Sequence, residues 1–467
     1  MRRGTRSRKL FGTRRIAVLA QAGLALFLTG AALGCAPEER PPNVLLVTVD
    51  TLRADYLGSY GFPANTSPNV DRLAQQGVLF ERAIAASTLT APSHASIMTS
   101  RYVREHSVGH GNGSTRLSDE TTLAMLFAAA DYDTAAFVGN VNLKRASGLA
   151  RGFLTYDDEL PIPEGERKEA FERTADLTSE RALAWLGVRR ERPFFLWVHY
   201  QDPHGPYTPP SPYDREIHLS PGADEAPLPM LEKHGGPNGV PAYQVIEDIS
   251  RPSHYRNRYA GEIRYFDHWL GRLLAAVEET DANETIILFT SDHGESMGEE
   301  DYFFSHGYAT TPNLSHVPFV LKAPGLKPER KSDVVHHVDI VPTLLDLAGL
   351  QVPDGMSGIA IGQHLGPGRF LPDRRVYSDT GNEISAYTGD KFMRLRTRGR
   401  LGDFKKGDIR TYDWTDGGNW QIAARDIDDA VSSELKRYAD ETKALQRIDE
   451  PMNHETIQHL RALGYVE

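Results

Sequence analysis

Asn43-Val-Leu-Leu-Val-Thr-Val-Asp50 is the stretch on which the fold turns. It is a continuous apolar run of β-branched character that ends on a carboxylate. Such a run suits a strand buried on both faces of a parallel sheet, because alternating polar residues are needed only where one face meets water. Similar runs recur at Thr134-Ala-Ala-Phe-Val, Phe194-Phe-Leu-Trp-Val-His, Thr285-Ile-Ile-Leu-Phe-Thr and Val317-Pro-Phe-Val-Leu. Helix-like stretches lie between them. Ser67-Pro68 opens one as an N-cap followed by proline and Gly77 closes it, while residues 121–130, 174–186 and 259–279 read as others. Strands alternating with helices predict an α/β fold, a three-layer sandwich around a mostly parallel sheet.

Working outward, residues 205–252 are rich in Pro, Gly and charge and predict a long excursion near the top of the sheet. After Leu365 the texture changes. Short strand candidates at Arg375-Val-Tyr and Lys391-Phe-Met-Arg-Leu-Arg, then a charged helix-prone tail from Asp426, predict a small α+β carboxy-terminal subdomain over 366–467, packed on a catalytic domain over 43–365.

The 467 residues are 40% hydrophobic, enough for a substantial core. Leaving out the seven bases of the first 34 residues leaves 45 bases against 63 acids. A surface that acidic repels polyanions, which argues against nucleic acid as a partner, and an anionic small substrate needs a local positive site. Residues 1–35 read as a signal peptide: a basic start, an apolar stretch from Ile16 to Leu33, then Gly34-Cys35. The apolar stretch is also long enough for an uncleaved anchor helix. Cys35 is the only cysteine, which rules out an intrachain disulfide, and residues 36–42 form a charged, Pro-rich tether. The segment resembles a bacterial lipoprotein box, implying an exported protein held at the cell envelope membrane through a lipidated Cys35.

In open α/β sheets ligands collect at the carboxyl ends of strands. Asp50 ends the first run, His199 and Asp202-Pro-His204 close the run from Phe194, and Ser291-Asp292-His293-Gly-Glu295 closes the run from Thr285. Singly, each has a plainer use as a turn cap or a packed histidine. Together, Asp50 with an adjacent Asp-His pair offers hard oxygen and borderline nitrogen to one divalent cation: zinc, manganese, magnesium or calcium. Thr90, in Ser87-Thr-Leu-Thr-Ala-Pro-Ser-His94, precedes a proline that suits the first turn of a helix. A hydroxyl at that amino end meets free amides and the positive end of the macrodipole, and a metal could activate it.

Val49-Asp50-Thr-Leu-Arg53, Ala91-Pro-Ser-His-Ala-Ser-Ile-Met-Thr99, Arg151-Gly-Phe, His199-Tyr-Gln-Asp-Pro-His204-Gly-Pro-Tyr207, Ser291-Asp-His-Gly-Glu295, Asp339-Ile-Val-Pro-Thr-Leu-Leu-Asp-Leu-Ala-Gly349 and the closing Leu460 to Glu467 occur in this order. The whole set resembles the sulfatase-like hydrolases of the alkaline phosphatase and sulfatase superfamily. The resemblance implies Asp50, Asp292 and His293 as metal ligands, Thr90 as nucleophile and further ligand, and Arg53, His94, His204 and His306 around the bound anion. It also marks departures. Sulfatases carry at the Thr90 position a cysteine or serine that is oxidised to formylglycine; threonine cannot give that aldehyde. Thr51 stands where a second aspartate is usual, and His306 about where a lysine is. These features resemble the phosphotransferases and nucleotide phosphodiesterases of the superfamily. They imply phosphate esters, on a glycan or lipid, as leading substrates. Sulfate-ester hydrolysis without formylglycine, phospho-group transfer, and a catalytically silent glycan-binding lipoprotein are the alternatives.

Overall fold

The opening run is strand β1 (Asn43–Val49), and it lies inside a nine-stranded sheet. The computed structural model describes Met1 and residues 40–109, 116–161, 172–219, 225–232, 238–281, 285–415, 420–423 and 429–443. The expected signal peptide with Cys35, most of the tether, and the closing motif at 460–467 lie outside the described residues. Among the described residues, no helix is long and apolar enough to cross a membrane.

The strands of the sheet are β1, β2 (Val78–Ile84), β3 (Asp133–Val138), β4 (Thr155–Asp157), β5 (Phe194–Tyr200), β6 (Thr285–Ser291), β7 (His316–Val317), β8 (Phe319–Lys322) and β9 (Glu329–His336). β1 pairs in parallel with β5 on one side and β6 on the other, and β3 and β4 continue the parallel set beyond β5. β8 runs antiparallel between β6 and β2, and β2 also pairs with β9 in parallel and with β7 antiparallel. The apolar run from Val317 is therefore two short strands. Pro318 separates them, since proline brings no N–H to a ladder.

The principal helices are α1 (Pro68–Gln76), α2 (Thr90–Thr99), α3 (Leu123–Ala129), α4 (Ala175–Leu186), α5 (Pro252–Asp281) and α6 (Ile340–Leu347). Successive strand residues point to opposite faces. Leu46, Trp197 and Leu288 join Met98 of α2, Phe127 of α3 and Leu344 of α6 in one core; Val47, Val198 and Phe289 join Leu73 of α1, Ala182 of α4 and Phe266 of α5 in the other. Apolar cores on both faces are why the strand sequences show no polar alternation. Each such side chain stabilises the fold by about 1.5–3 kcal/mol on burial. The result is the expected three-layer sandwich with a mostly parallel sheet.

A helix start and a helix cap depart from the sequence reading. α5 begins at Pro252, well before Tyr259. α1 begins after Ser67 as read, but the Ser67 side chain does not cap it. Its first amides, of Asn69 and Val70, donate instead to the Asp267 carboxylate of α5, at 3.0 and 2.9 Å. Ser67 Oγ accepts from the Gly58 amide.

The carboxy-terminal part adds β10 (Val376–Asp379), β11 (Glu383–Thr388), β12 (Lys391–Arg396), a hairpin of β13 (Arg400–Leu401) and β14 (Phe404–Lys405), β15 (Ile409–Trp414) and β16 (Trp420–Ile422). β10, β11, β12, β15 and β16 form an antiparallel sheet in that order. Helix α7 (Asp429–Lys443) packs Val431, Leu435 and Tyr438 on one face, and the other face meets Ile84 of β2 through Val376, Tyr387 and Phe392.

Candidate active site

The carboxyl ends of β1 and β6 are adjacent because the two strands pair in parallel, with Val49 opposite Ser291. The next residues, Asp50 and Asp292, are therefore side by side. One ligand atom each from Asp50, Asp292 and His293 lies within 4.8 Å of the others, and all three residues are fully buried. Asp292 Oδ1 accepts from the amides of Thr51 and His293, at 3.2 and 2.7 Å, and Asp50 Oδ2 accepts from Asn140 Nδ2 at 2.6 Å. Asp50 Oδ1 and Asp292 Oδ2 have no hydrogen-bond partner among the described residues.

Tautomers sharpen this picture. His293 Nδ1 is 2.9 Å from the Gly294 carbonyl, which can only accept, so the proton sits on Nδ1. Nε2 is then a bare lone pair facing two carboxylates, 3.6 Å from Asp292 Oδ2 and 3.9 Å from Asp50 Oδ1. Electron pairs converging in a buried site are what a bound cation reconciles. The ionisation equilibria agree. Burial and the Asp50 charge push the Asp292 carboxyl well above its usual range, whereas for Asp50 the opposing effect of burial is outweighed by His204, His199 and His293, which hold it low. Burial and the neighbouring His306 lower His293 to about 3. Two carboxylates and a neutral imidazole fit a divalent cation, with Thr90 as a further oxygen.

Thr90 is the first residue of α2, and Leu89 supplies the extended residue before it. Its side chain is buried, and Oγ1 has no partner among the described residues. Ser93 Oγ fastens this turn of α2 to the end of β6 by donating to the Asp292 carbonyl at 2.7 Å, and His337 braces both, with Nδ1 3.0 Å from Ser93 Oγ and Nε2 donating to the Ser291 carbonyl at 2.9 Å. His94 Nδ1 donates to the Thr90 carbonyl at 2.9 Å and lies 3.7 Å from Asp292 Oδ2. Its Nε2 meets Thr48 Oγ1, which also contacts His199 Nδ1 and the Trp197 indole. His199 lies within β5, with Nε2 3.6 Å from Asp50 Oδ2.

His204 and His306 close the site from the segments after β5 and β6. The His306 ring is 4.5 Å from that of His293 and 5.1 Å from that of His204. His204 Nδ1 donates to the Gly205 carbonyl at 2.7 Å, and its buried Nε2 has no partner among the described residues. Burial lowers the His204 pKa despite the Asp50 charge. His306 goes the other way: burial opposes its charge, but Glu295, 3.1 Å from Nδ1, raises the pKa. Asp202 is buried in the same turn. Both ring nitrogens of His94 are taken, by the Thr90 carbonyl and Thr48 Oγ1, and Arg53 turns elsewhere. Its guanidinium makes two bonds to Asp55 and one each to Glu299 and the Glu295 carbonyl, and none goes to the cation cluster. It lines a cleft of about 330 Å³ with Asp55, Glu299, Asn313, Tyr412 and Trp420.

A family model described as Sulfatase matches residues 42–350. The chain belongs to the sulfatase family. It is an ester hydrolase by that membership. Among its relatives, iduronate 2-sulfatase of Homo sapiens is 29% identical over 421 residues, covering 71% of this chain and 74% of its own. The multifunctional alkaline phosphatase superfamily protein PehA of Trinickia caryophylli is 26% identical over 408 residues, covering 70% and 77%. The crystal structure of the phosphonate monoester hydrolase of Agrobacterium radiobacter shares the fold, with a TM-score of 0.63 at 23% identity over 86% of this chain and 95% of that one.

Two residues of this family member's site escaped the sequence reading. Asn140 and Thr48 are neutral residues with no motif of their own; only the position of Asn140 after β3 pointed to it. Thr51 was noted as a lost aspartate, but its backbone was not foreseen. It has φ of 56°, in the left-handed region that β-branched residues avoid. Its amide bond to Asp292 and a 2.7 Å bond from Tyr259 OH to its carbonyl hold it there.

Proposed function

We propose that this sulfatase-family chain hydrolyses phosphate esters through a covalent intermediate on Thr90. The observation that carries the reading is the Thr90 hydroxyl itself: buried, unpartnered among the described residues, and first in α2; the motif resemblance sets it at the position of the family's formylglycine precursor. Threonine oxidation would give a ketone, so the residue is suited to act as an unmodified alkoxide.

When bound, a divalent cation at Asp50, Asp292, His293 and Thr90 would supply positive charge that favours the alkoxide and screens the substrate oxygens. Thr90 Oγ attacks phosphorus in line, gives its proton to the bare Nε2 of His204, and forms a new O–P bond as the bond to the leaving oxygen breaks. The free amides at the start of α2 favour the equatorial oxygens. His306, whose carboxylate partner favours the imidazolium, protonates the leaving oxygen. Water then attacks phosphothreonine, releasing phosphate and restoring the hydroxyl.

A second reading, sulfate-ester hydrolysis by the same hydroxyl, is favoured by the similarity to iduronate 2-sulfatase. Matched aryl phosphate and aryl sulfate esters separate the two. Phosphate release should be the faster, with Thr90→Ala abolishing it; faster sulfate release transfers the assignment, and turnover by Thr90→Ala removes the nucleophile from both.

A further inference from the structure

We infer that Glu295 and Tyr207 form a positioning pair that holds the His306 ring for delivery of its proton to the leaving oxygen; this rests on the role given to His306 above. Glu295 is fully buried two residues after His293, and its carboxylate is divided between two partners. Oε1 is 3.1 Å from His306 Nδ1, and Oε2 accepts from Tyr207 OH at 2.9 Å. An ionised carboxylate can only accept, so the ring turns its Nδ1–H to Glu295. The carboxylate thus selects the tautomer and fixes the ring plane, as a second residue does behind many working histidines.

Tyr207 gives the carboxylate its own fixed position. It is fully buried, three residues after His204, with its ring against those of Tyr259 and Phe304, at 5.4 and 6.2 Å. The pair therefore joins the two segments that carry His204 and His293, and places its charge behind the ring that touches both histidines. An ion pair serving only the fold would not need to end on that ring.

The test uses the full-length, metal-loaded protein and aryl phosphates whose leaving groups run from nitrophenol to phenol. Protonation matters most for the poorest leaving group, so Glu295→Gln should lower kcat/KM for phenyl phosphate by about 10²-fold or more and for nitrophenyl phosphate by under about tenfold. Metal content should match wild type. Tyr207→Phe should steepen the same dependence to a smaller degree, and it carries the test if Glu295→Gln does not fold. Equal losses across the series, or none, would overturn the inference. Thr90→Ala run in parallel separates the two levels: an inactive Thr90→Ala with an unchanged leaving-group dependence in Glu295→Gln removes only the positioning pair, whereas an active Thr90→Ala removes the reading beneath it.

Discussion

Replacing Asp292 by asparagine is expected to move the metal-free and metal-loaded proteins in opposite directions. The Asn Oδ1 keeps both amide bonds, from Thr51 and His293, that Asp292 Oδ1 now accepts. Its Nδ2 takes the place of Oδ2 and brings N–H groups towards the bare His293 Nε2, now 3.6 Å away, and towards Asp50. Ligand oxygens no more than 4.8 Å apart repel by about 3.5 kcal/mol at an effective dielectric constant near 20 when both are ionised. Proton uptake by Asp292 already avoids part of this, so the metal-free variant should gain roughly 1–3 kcal/mol over wild type. With metal the order reverses. A thousandfold loss of affinity removes about 4 kcal/mol of ligand-linked stability. Urea midpoints in chelator and in excess manganese or calcium read both effects. A variant destabilised in chelator, or stabilised by metal as much as wild type, would refute the cation assignment of this cluster.

Other expectations lie further from the cluster. His336 donates from Nε2 to the Tyr377 carbonyl and accepts the Val338 amide on Nδ1, and burial lowers its pKa from 6.5 to about 3. Between these values the unfolded chain binds the extra proton, so stability is lost as pH falls through that window, and His336→Gln should flatten the loss in urea midpoints compared near pH 7 and near pH 4. Glu383→Ala leaves the buried Arg396 without a carboxylate partner among the described residues and Arg394 with Glu300 alone, and should cost about 3–5 kcal/mol in urea denaturation, far more than an exposed pair such as Arg437 with Glu441. Cys35→Ser should abolish acyl labelling and release the protein from membranes if residues 1–35 are a lipoprotein signal; unchanged labelling counts against the anchor.

The layers of the fold were legible because β1, β3, β5 and β6 are apolar on both faces, and that pattern has few other uses. β9 was not: it mixes buried and exposed positions, and nothing in Glu-Arg-Lys-Ser-Asp-Val-Val-His marks the parallel partner that β2 offers. Caps supplied from afar were equally hidden, since Asp267 reaches α1 from a helix nearly two hundred residues later. In the site, the structure brings Asp50, Asp292 and His293 together, because strand ends converge once the sheet is parallel. Arg53 shows the converse. Its place after Asp50 is right, but the side chain is long, and Asp55 and Glu299 claim it. The left-handed Thr51 and the Glu295 and Tyr207 contacts come from backbone and ring packing that no local sequence feature encodes.

The most direct measurement of the central claim is an acid quench of the metal-loaded enzyme during turnover of an aryl phosphate, followed by mass mapping of its peptides. A phosphoryl group on Thr90, appearing within the first turnover and absent from Thr90→Ala, is the predicted result. Turnover with Thr90 unmodified throughout and Thr90→Ala still active would contradict it.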